Sequence, residues 1–461
     1  MSLKVLELND SAVTVSDSSG IITQSPGFAL LAPGGLEVGE AAEKQARLNP
    51  TGSFNKFWSQ LSLEPLGHSS GKARHFADLA YAHLMHVAEA GQLQDEVILA
   101  VPGNFTNQQL AILLGLIGSC PFQPLGIVDS ALAGALDITD GRPLVYADIQ
   151  LHQVLLTRFV TVDGHLQREK VAQIPEIGLQ NFSNLIMQLA TGLFIQQCRF
   201  NPQHDAYSEQ QMYNQLPNWL QKSGVNRSSL LMEIKTADGV HEAKLPWESL
   251  VQKLNEYYSR INQQLSALMG GEPVQLAVSS ALAELPDFTR SLSVDAEPIV
   301  VTQDRIGRNC LEMAAQIDSR ESGFRCISRL PLAGAVTALP NESRNEVGGF
   351  ENATVDKAAP THALYGDQAI PLGHIQLKNT PEGQLGRING SGIVMALKGL
   401  PAQLGEIILE DGQAYLDSPV SETLVNGEVI SGRHPLELGD RISYGATDHE
   451  IQLIRVSDGK Q

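Results

Sequence analysis

Residues 97–162 alternate between strand and helix patterns, and this alternation constrains the fold more than any other feature of the chain. VILAVP (97–102) is a continuous apolar run closed by Pro102 and Gly103, as expected of a strand buried on both faces. QQLAILLGLIGS follows, with Thr106 or Asn107 placed to cap a helix. FQPLGIVD reads as the next strand, SALAGAL as a small-residue helix, and LVYADIQ with VLLTRFVTV as a strand pair. A β-α-β-α-β-β order is that of a layered α/β domain. Within it, Asp148 enters the otherwise apolar stretch LVYADIQLHQVLLTRF. A carboxylate at the mouth of a buried strand needs a hydrogen-bond partner, a cation or water.

The flanking sequence extends the pattern. Residues 3–8 and 11–15 are short alternating runs, with a hairpin turn at Asp17-Ser-Ser-Gly20. VGEAAEKQARL (38–48) and residues 73–91 predict helices. Residues 180–270 are mostly helical, interrupted by a strand-turn-strand at 230–245 with Asp238-Gly239 in the turn. The helix WESLVQKLNEYYSRINQQLSALM and the buried strand VQLAVSS come next. Residues 336–367 lose periodicity and read as a linker. From 368 to 461, short alternating runs between Gly-containing turns predict an all-β sandwich.

With 461 residues, the chain is too long for one core. A formal net charge of -19 argues against nucleic acid and against an anionic membrane surface as partners. Cys120, Cys198, Cys310 and Cys326 are scattered and have no metal-ligand spacing. His83 and His86 stand at i, i+3 on a helix, without a carboxylate motif that would make them metal ligands, and are expected to face solvent or a partner. The N-terminus has no basic segment followed by an apolar run, and no window reaches the ~18 apolar residues of a membrane span. A cytoplasmic location is therefore expected.

Three stretches of residues 1–335 resemble the actin-like ATPase superfamily, and within it the DnaK-type chaperone branch. VGEAAEKQARLNP (38–50) is similar to "VG-x-x-A-x-x-Q-x-x-x-NP". AVPGNFTNQQLAILLGLIGSCPFQPLGIVDSALAGAL (100–136) is similar to the family's "VP-x-x-F" strand, its helix, and the segment ending "NEPTAAAL". The third is an order: long helix, strand, then Leu285-Pro286 opening a helix, as at the family's adenosine turn. The resemblance implies two ribonuclease-H-like lobes, about 1–137 and 138–335, closing on ATP and Mg²⁺. It places degenerate nucleotide-site positions at Ser11, Asp129, Asp148 and Ser280.

Phosphate loops need glycine so that backbone N–H groups can approach the phosphates. Here the first loop, "D-x-G-T-T-x-S" in the family, is ELNDSAV, with Glu7 in place of the Asp. The second, "D-x-G-G-G-T", is ADIQLHQV: Asp148 is kept, and Gln150, Leu151 and His152 replace the glycines. The adenosine turn falls on Ser279-Ser280-Ala281-Leu282. Ser130 stands where the family has its water-positioning Glu, and Asn55, beside Lys56, where it has a Lys. Phosphoryl transfer depends almost wholly on such positioning. The losses imply a pseudo-ATPase with no catalytic residue, no resident metal and no cofactor. ATP with Mg²⁺ is the alternative.

Residues 372–456 resemble a forkhead-associated (FHA) domain, through GRINGSGIVM (386–395) and ETLVNGEVISGRHPLELGDRISYG (422–445). The family's phosphothreonine-binding Arg and Asn positions fall on Arg387 and Ser421, while its Ser falls on Pro401 and a glycine on Glu422. Together the resemblances imply a chaperone-like, non-catalytic scaffold whose partner is another protein. A divergent ATP-binding chaperone or ATPase is the alternative, and a filament-forming actin relative a third class.

Overall fold

A computed structural model describes residues 3–32, 34–70, 73–222, 228–271, 273–293, 297–320, 324–332, 360–365, 368–379, 387–389, 392–395, 400–410, 413–420, 423–425, 428–430, 432–436, 440–444 and 450–454. The chain divides into two compact units, Met1–Asn341 and Glu342–Gln461.

The first unit is mixed α/β and rests on two six-stranded sheets. The first sheet is built from β1 (Lys4–Glu7), β2 (Val13–Asp17), β3 (Gly20–Ser25), β4 (Glu96–Val101) and β5 (Gln123–Asp129). The second is built from β6 (Leu144–Ile149), β7 (Gln153–Val162), β8 (His165–Pro175), β9 (Gln275–Ser279) and β10 (Pro298–Val301). The strand orders are β3-β2-β1-β4-β5 and β8-β7-β6-β9-β10, the same order twice. In each sheet the first three strands form an antiparallel meander. In each, the last two run parallel to the first. Of the parallel strands, β4, β5 and β9 are buried almost throughout, which explains why EVILAV and QLAVS read as unbroken apolar runs.

Two late strands extend the sheets. β11 (Cys326–Ile327) pairs with β5, and β12 (Arg329–Pro331) pairs with β8. Residues 305–320 and β11, which chain order alone assigns to the second half, therefore return to the first sheet. Helix α10 (Arg305–Glu312) is fixed there by Asn309, whose Nδ2 donates to the Ala133 carbonyl at 2.8 Å and to Asp137 at 2.9 Å.

Among the described residues, three large apolar cores follow from this layout, beside a smaller cluster of Phe28, Leu30, Ala42, Ala46 and Leu151. One lies between the first sheet and helices α2 (Phe76–Ala90) and α3 (Asn107–Ile117). Another lies between the second sheet and α5 (Leu179–Cys198), α6 (Ala206–Lys222) and α7 (Trp247–Met269). The third joins the two sheets through Val5, Ile98, Tyr146, Phe159 and Ala277, with α4 (Ser130–Ala135) and α10 between them.

Several elements differ from the sequence reading. The helix expected at 38–48 is a single turn, α1 (Glu40–Glu43). Beyond it the backbone N–H of Arg47 donates to the Gln210 side chain at 2.6 Å, and the Glu43 carbonyl accepts from Ala46 and from Gln210. The i→i−4 ladder is thereby interrupted. No helix begins at Leu285-Pro286; α9 (Phe288–Ser291) starts after Asp287, whose φ of 53° is left-handed. β8 lay outside the sequence reading because HLQREKVAQIP is largely polar.

The second unit is all-β. One sheet runs in the order Gln368–Pro371, His362–Tyr365, Glu450–Ile454, Arg441–Tyr444, Thr423–Val425, Glu428–Val429. The other runs Arg387–Asn389, Gly392–Met395, His374–Asn379, Gln403–Glu410, Gln413–Ser418, Gly432–Leu436. Their inward residues, among them Ile375, Leu416, Ile442 and Leu453, form one core. The strand His362–Tyr365 falls within the stretch read as linker; the rest of that stretch up to residue 359 lies outside the described residues. Among the described residues, no helix is long and apolar enough to cross a membrane.

Candidate functional site

The repeated strand order gives the first unit two equivalent hairpins, residues 8–12 between β1 and β2 and residues 150–152 between β6 and β7. They face each other and are hydrogen-bonded together. The Asp10 carboxylate accepts the Leu151 N–H at 2.8 Å. From the first hairpin, Asn9 Nδ2 donates to the Asp148 carboxylate at 3.0 Å and to the Ile149 carbonyl at 3.1 Å. The other end of Asn9 orders its own turn: Oδ1 accepts from the Ser11 N–H and hydroxyl at 3.0 and 2.8 Å. This is the local competition by which Asn favours turns over strands.

The second hairpin is also held from behind. The Gln150 and Leu151 carbonyls accept the Leu179 and Gln180 N–H groups, both at 2.9 Å. The N-terminus of the 20-residue α5, a natural anion site, is thus occupied by backbone. A Cβ on Gly178 would sit 2.3 Å from the Leu151 carbonyl and the His152 nitrogen, so only glycine permits this approach. The His152 Nε2–H donates to the Asn55 carbonyl at 3.0 Å, and burial together with nearby Lys56 lowers its pKa.

Three carboxylates lie in or under the hairpins, and burial raises each. Glu7 is pushed up to about 8 and Asp10 to about 7, both also feeling the charge of Asp148. Asp148 is raised to about 6, with Ser279, the Ile149 N–H and Asn9 pulling the other way. Asp148 is therefore a strand-end carboxylate held by hydrogen bonds. The second carboxylate oxygen of Asp10 has no hydrogen-bond partner. Beside it is a void of about 10 Å³, bordered by Gln150 and Gln153, with room for at most about one water.

The other sequence-selected positions are not gathered around one centre. Asp129 is fully buried and caps α4, accepting from the Ala131 and Leu132 N–H groups at 2.9 and 3.3 Å. Its other oxygen takes Arg168 Nη1 at 2.6 Å. Burial raises its pKa and Arg168 counters this. Both oxygens of Asp129 are thus engaged structurally. Ser280 opens the four-residue helix α8 (Ser280–Ala283), so the stretch aligned with a glycine turn is helical. Ser11 lines a cavity of about 1390 Å³ that opens beside the hairpins, together with Leu151 and residues of α1, α5, α6, α8 and α9.

His83 does not face solvent or a partner. It is fully buried, accepts Trp58 Nε1–H at Nδ1 at 3.0 Å, and meets the Ser25 hydroxyl at Nε2 at 2.8 Å. Burial, with His86 stacked beside it, lowers its pKa to about 3. Both ring nitrogens are committed, and no group of three or more His, Cys, Asp or Glu among the described residues is arranged to hold a metal. In the second unit, Arg387 begins an edge strand opposite Val394, Pro401 is exposed, and Ser421 and Glu422 lie outside the described residues.

Asp10 and Gly178 were missed by the sequence reading, although Asp10 sits in ELNDSAV where the resemblance placed a glycine loop. A carboxylate at such a position was the available signal. No family model matches the chain, and no curated protein matches it.

Proposed function

We propose that this chain is a chaperone-like, non-catalytic protein-interaction scaffold, formed by a degenerate actin/DnaK-type nucleotide-binding module followed by an FHA-like module. The repeated strand order, with its two facing hairpins, supports the two-lobed reading. The two-sheet all-β second unit supports the FHA-like one.

The observation that carries the functional reading is the hairpin lock. In a nucleotide-binding module of this type, both hairpins must offer free backbone N–H groups to phosphates. Here the Leu151 N–H is taken by Asp10, and Asn9 ties the first hairpin to Asp148. A buried carboxylate stands where an anionic ligand would need donors. Removing one preorganised donor costs about 3–4 kcal/mol of transition-state stabilisation. The Asp129–Arg168 pair also leaves no free carboxylate beside Ser130 to orient a water.

The adjoining 1390 Å³ cavity favours the second reading, a divergent ATP-binding chaperone. Thermal melting of the full chain with Mg²⁺-ATP decides between them. A ligand at 100 times its Kd would stabilise by about 2.7 kcal/mol. The expected result is no shift and no phosphate release; a shift with release overturns the scaffold reading. For the second unit, phosphothreonine peptides are expected not to bind, and binding that Arg387→Ala abolishes would overturn that expectation.

A further inference from the structure

The cavity has a charge pattern that the lock does not explain. It measures about 1390 Å³, whereas small-molecule pockets run to ~300–1,000 Å³, so it has room for a segment of polypeptide. Leu179, Ile186, Leu216 and Tyr213 supply apolar and aromatic wall. The ionisable residues lining it are Glu40, Glu43, Lys44, Glu284, Asp287 and Arg290. Both cations are already engaged: Lys44 with Glu40 at 2.5 Å, and Arg290 with Asp287 at 3.7 Å. Glu43 and Glu284 have no ion-pair partner among the described residues. Glu43 instead accepts the Tyr213 hydroxyl at 2.9 Å, and burial raises its pKa, as expected of a carboxylate short of compensating charge. The Tyr213 ring already accommodates a guanidinium on one side, Arg47 at 5.2 Å, held in turn by Asn184 and Glu209.

We propose that this cleft docks a basic segment of a partner protein, whose Lys or Arg side chains pair with Glu43 and Glu284 while its apolar residues cover the α5–α6 wall. The proposal rests on the scaffold reading and names the chemistry of its partner. Charge complementarity selects the occupant. The cleft's unpaired charges are acidic, the chain as a whole carries -19, and a basic segment would be steered towards it. Polyanions are disfavoured by the same charges and by Asp10 at the hairpins.

The test is fluorescence anisotropy with the full chain and a labelled peptide alternating Arg and Leu, against the same peptide with Glu or Gln in place of Arg. Saturable binding of the Arg peptide alone is expected, weakening about tenfold or more between ~0.05 M and ~0.5 M salt. Glu43→Gln with Glu284→Gln is expected to cost about tenfold in affinity. Glu89→Gln with Asp95→Asn, exposed acids outside the cleft, removes the same charge and is expected to leave binding unchanged. Equal binding of all three peptides, no saturable binding, or equal losses in the two double variants would each overturn the proposal. A parallel arm with Mg²⁺-ATP keeps the two readings apart: phosphate release overturns the non-catalytic reading, whereas loss of Arg selectivity overturns only the docking.

Discussion

Asp10 and Leu151, 141 positions apart in sequence, meet at 2.8 Å, carboxylate to backbone N–H, and this contact closes the space between the two hairpins of the first unit. Two effects oppose each other there. The bond satisfies a buried N–H, while burial of the carboxylate pushes the Asp10 pKa to about 7. Substitutions separate them. Asp10→Asn keeps an acceptor and removes the charge. Above the shifted pKa, near pH ~8, it should stabilise the first unit by roughly 1–2 kcal/mol. Asp10→Ala also removes the charge but leaves the Leu151 N–H unpaired, and should be about 1–3 kcal/mol less stable than Asp10→Asn. Urea unfolding followed by tryptophan fluorescence checks both, because Trp58, Trp219 and Trp247 all lie in the first unit. Equal effects of the two substitutions would refute this account.

The three raised carboxylates set a pH dependence with a definite sign. Glu7, Asp10 and Asp148 titrate near 8, 7 and 6 in the folded chain, against ~4 when unfolded. The native state therefore holds more protons than the unfolded state between these limits. Their stabilising contribution is complete below ~4 and is lost as pH rises through 6, 7 and 8. The unfolding free energy from urea titrations should fall between about pH 5 and about pH 9 by on the order of several kcal/mol, and the urea midpoint should fall with it. Glu7→Gln should flatten the upper part of that fall. An unchanged slope in Glu7→Gln would show that Glu7 does not carry it.

His83 acts in the opposite direction. Its pKa is about 3 when folded, so the fold favours the neutral ring. That contribution is complete above the unfolded value of ~6.5 and is lost as pH falls towards the folded one. Trp58→Phe removes the donor to Nδ1 and should cost about 1–3 kcal/mol. Because Nδ1 then becomes free to protonate, the folded-state pKa rises towards the unfolded one, and the variant should lose stability less steeply than the parent between about pH 6 and pH 4. Guanidinium unfolding followed by far-UV circular dichroism across that range reads both effects.

Elements with local signals were legible in the sequence; pairings between distant residues were not. The buried strands β4, β5 and β9 show themselves as apolar runs, and Thr106 caps α3 in a box with Gln109, as its position suggested. The stretch 38–48 has good helix formers, yet Gln210, more than 160 positions away, takes the Arg47 N–H and ends the helix early. The i, i+3 spacing of His83 and His86 is a helical face, but spacing cannot say that Trp58 and Ser25 cover one of the pair. Asp129 is suggestive beside SALAGAL, whereas its partner Arg168 lies on β8, a strand whose polar sequence conceals it. Asp148 was identified as a strand-end acid needing a partner. Its actual partner, Asn9, belongs to the other hairpin and follows only from the duplicated topology.

Gly178 tests whether that topology depends on the close approach behind the second hairpin. Its backbone angles, φ -122° and ψ 176°, are open to any residue, so substitution carries no dihedral penalty. What excludes a side chain is contact: a Cβ would lie 2.3 Å from backbone atoms of Leu151 and His152, which cannot rotate away. Gly178→Ala must therefore move either the hairpin or the start of α5, stretching the Leu179–Gln150 and Gln180–Leu151 bonds. A cost of about 1–3 kcal/mol is expected. Displacing Leu151 should also loosen its bond to Asp10, letting that carboxylate gain solvent and its pKa return towards the ordinary range. The fall in stability between about pH 6 and about pH 8 should accordingly be shallower in Gly178→Ala than in the parent chain. A destabilised variant with an unchanged pH profile would mean that α5 moves and the hairpin lock stays shut.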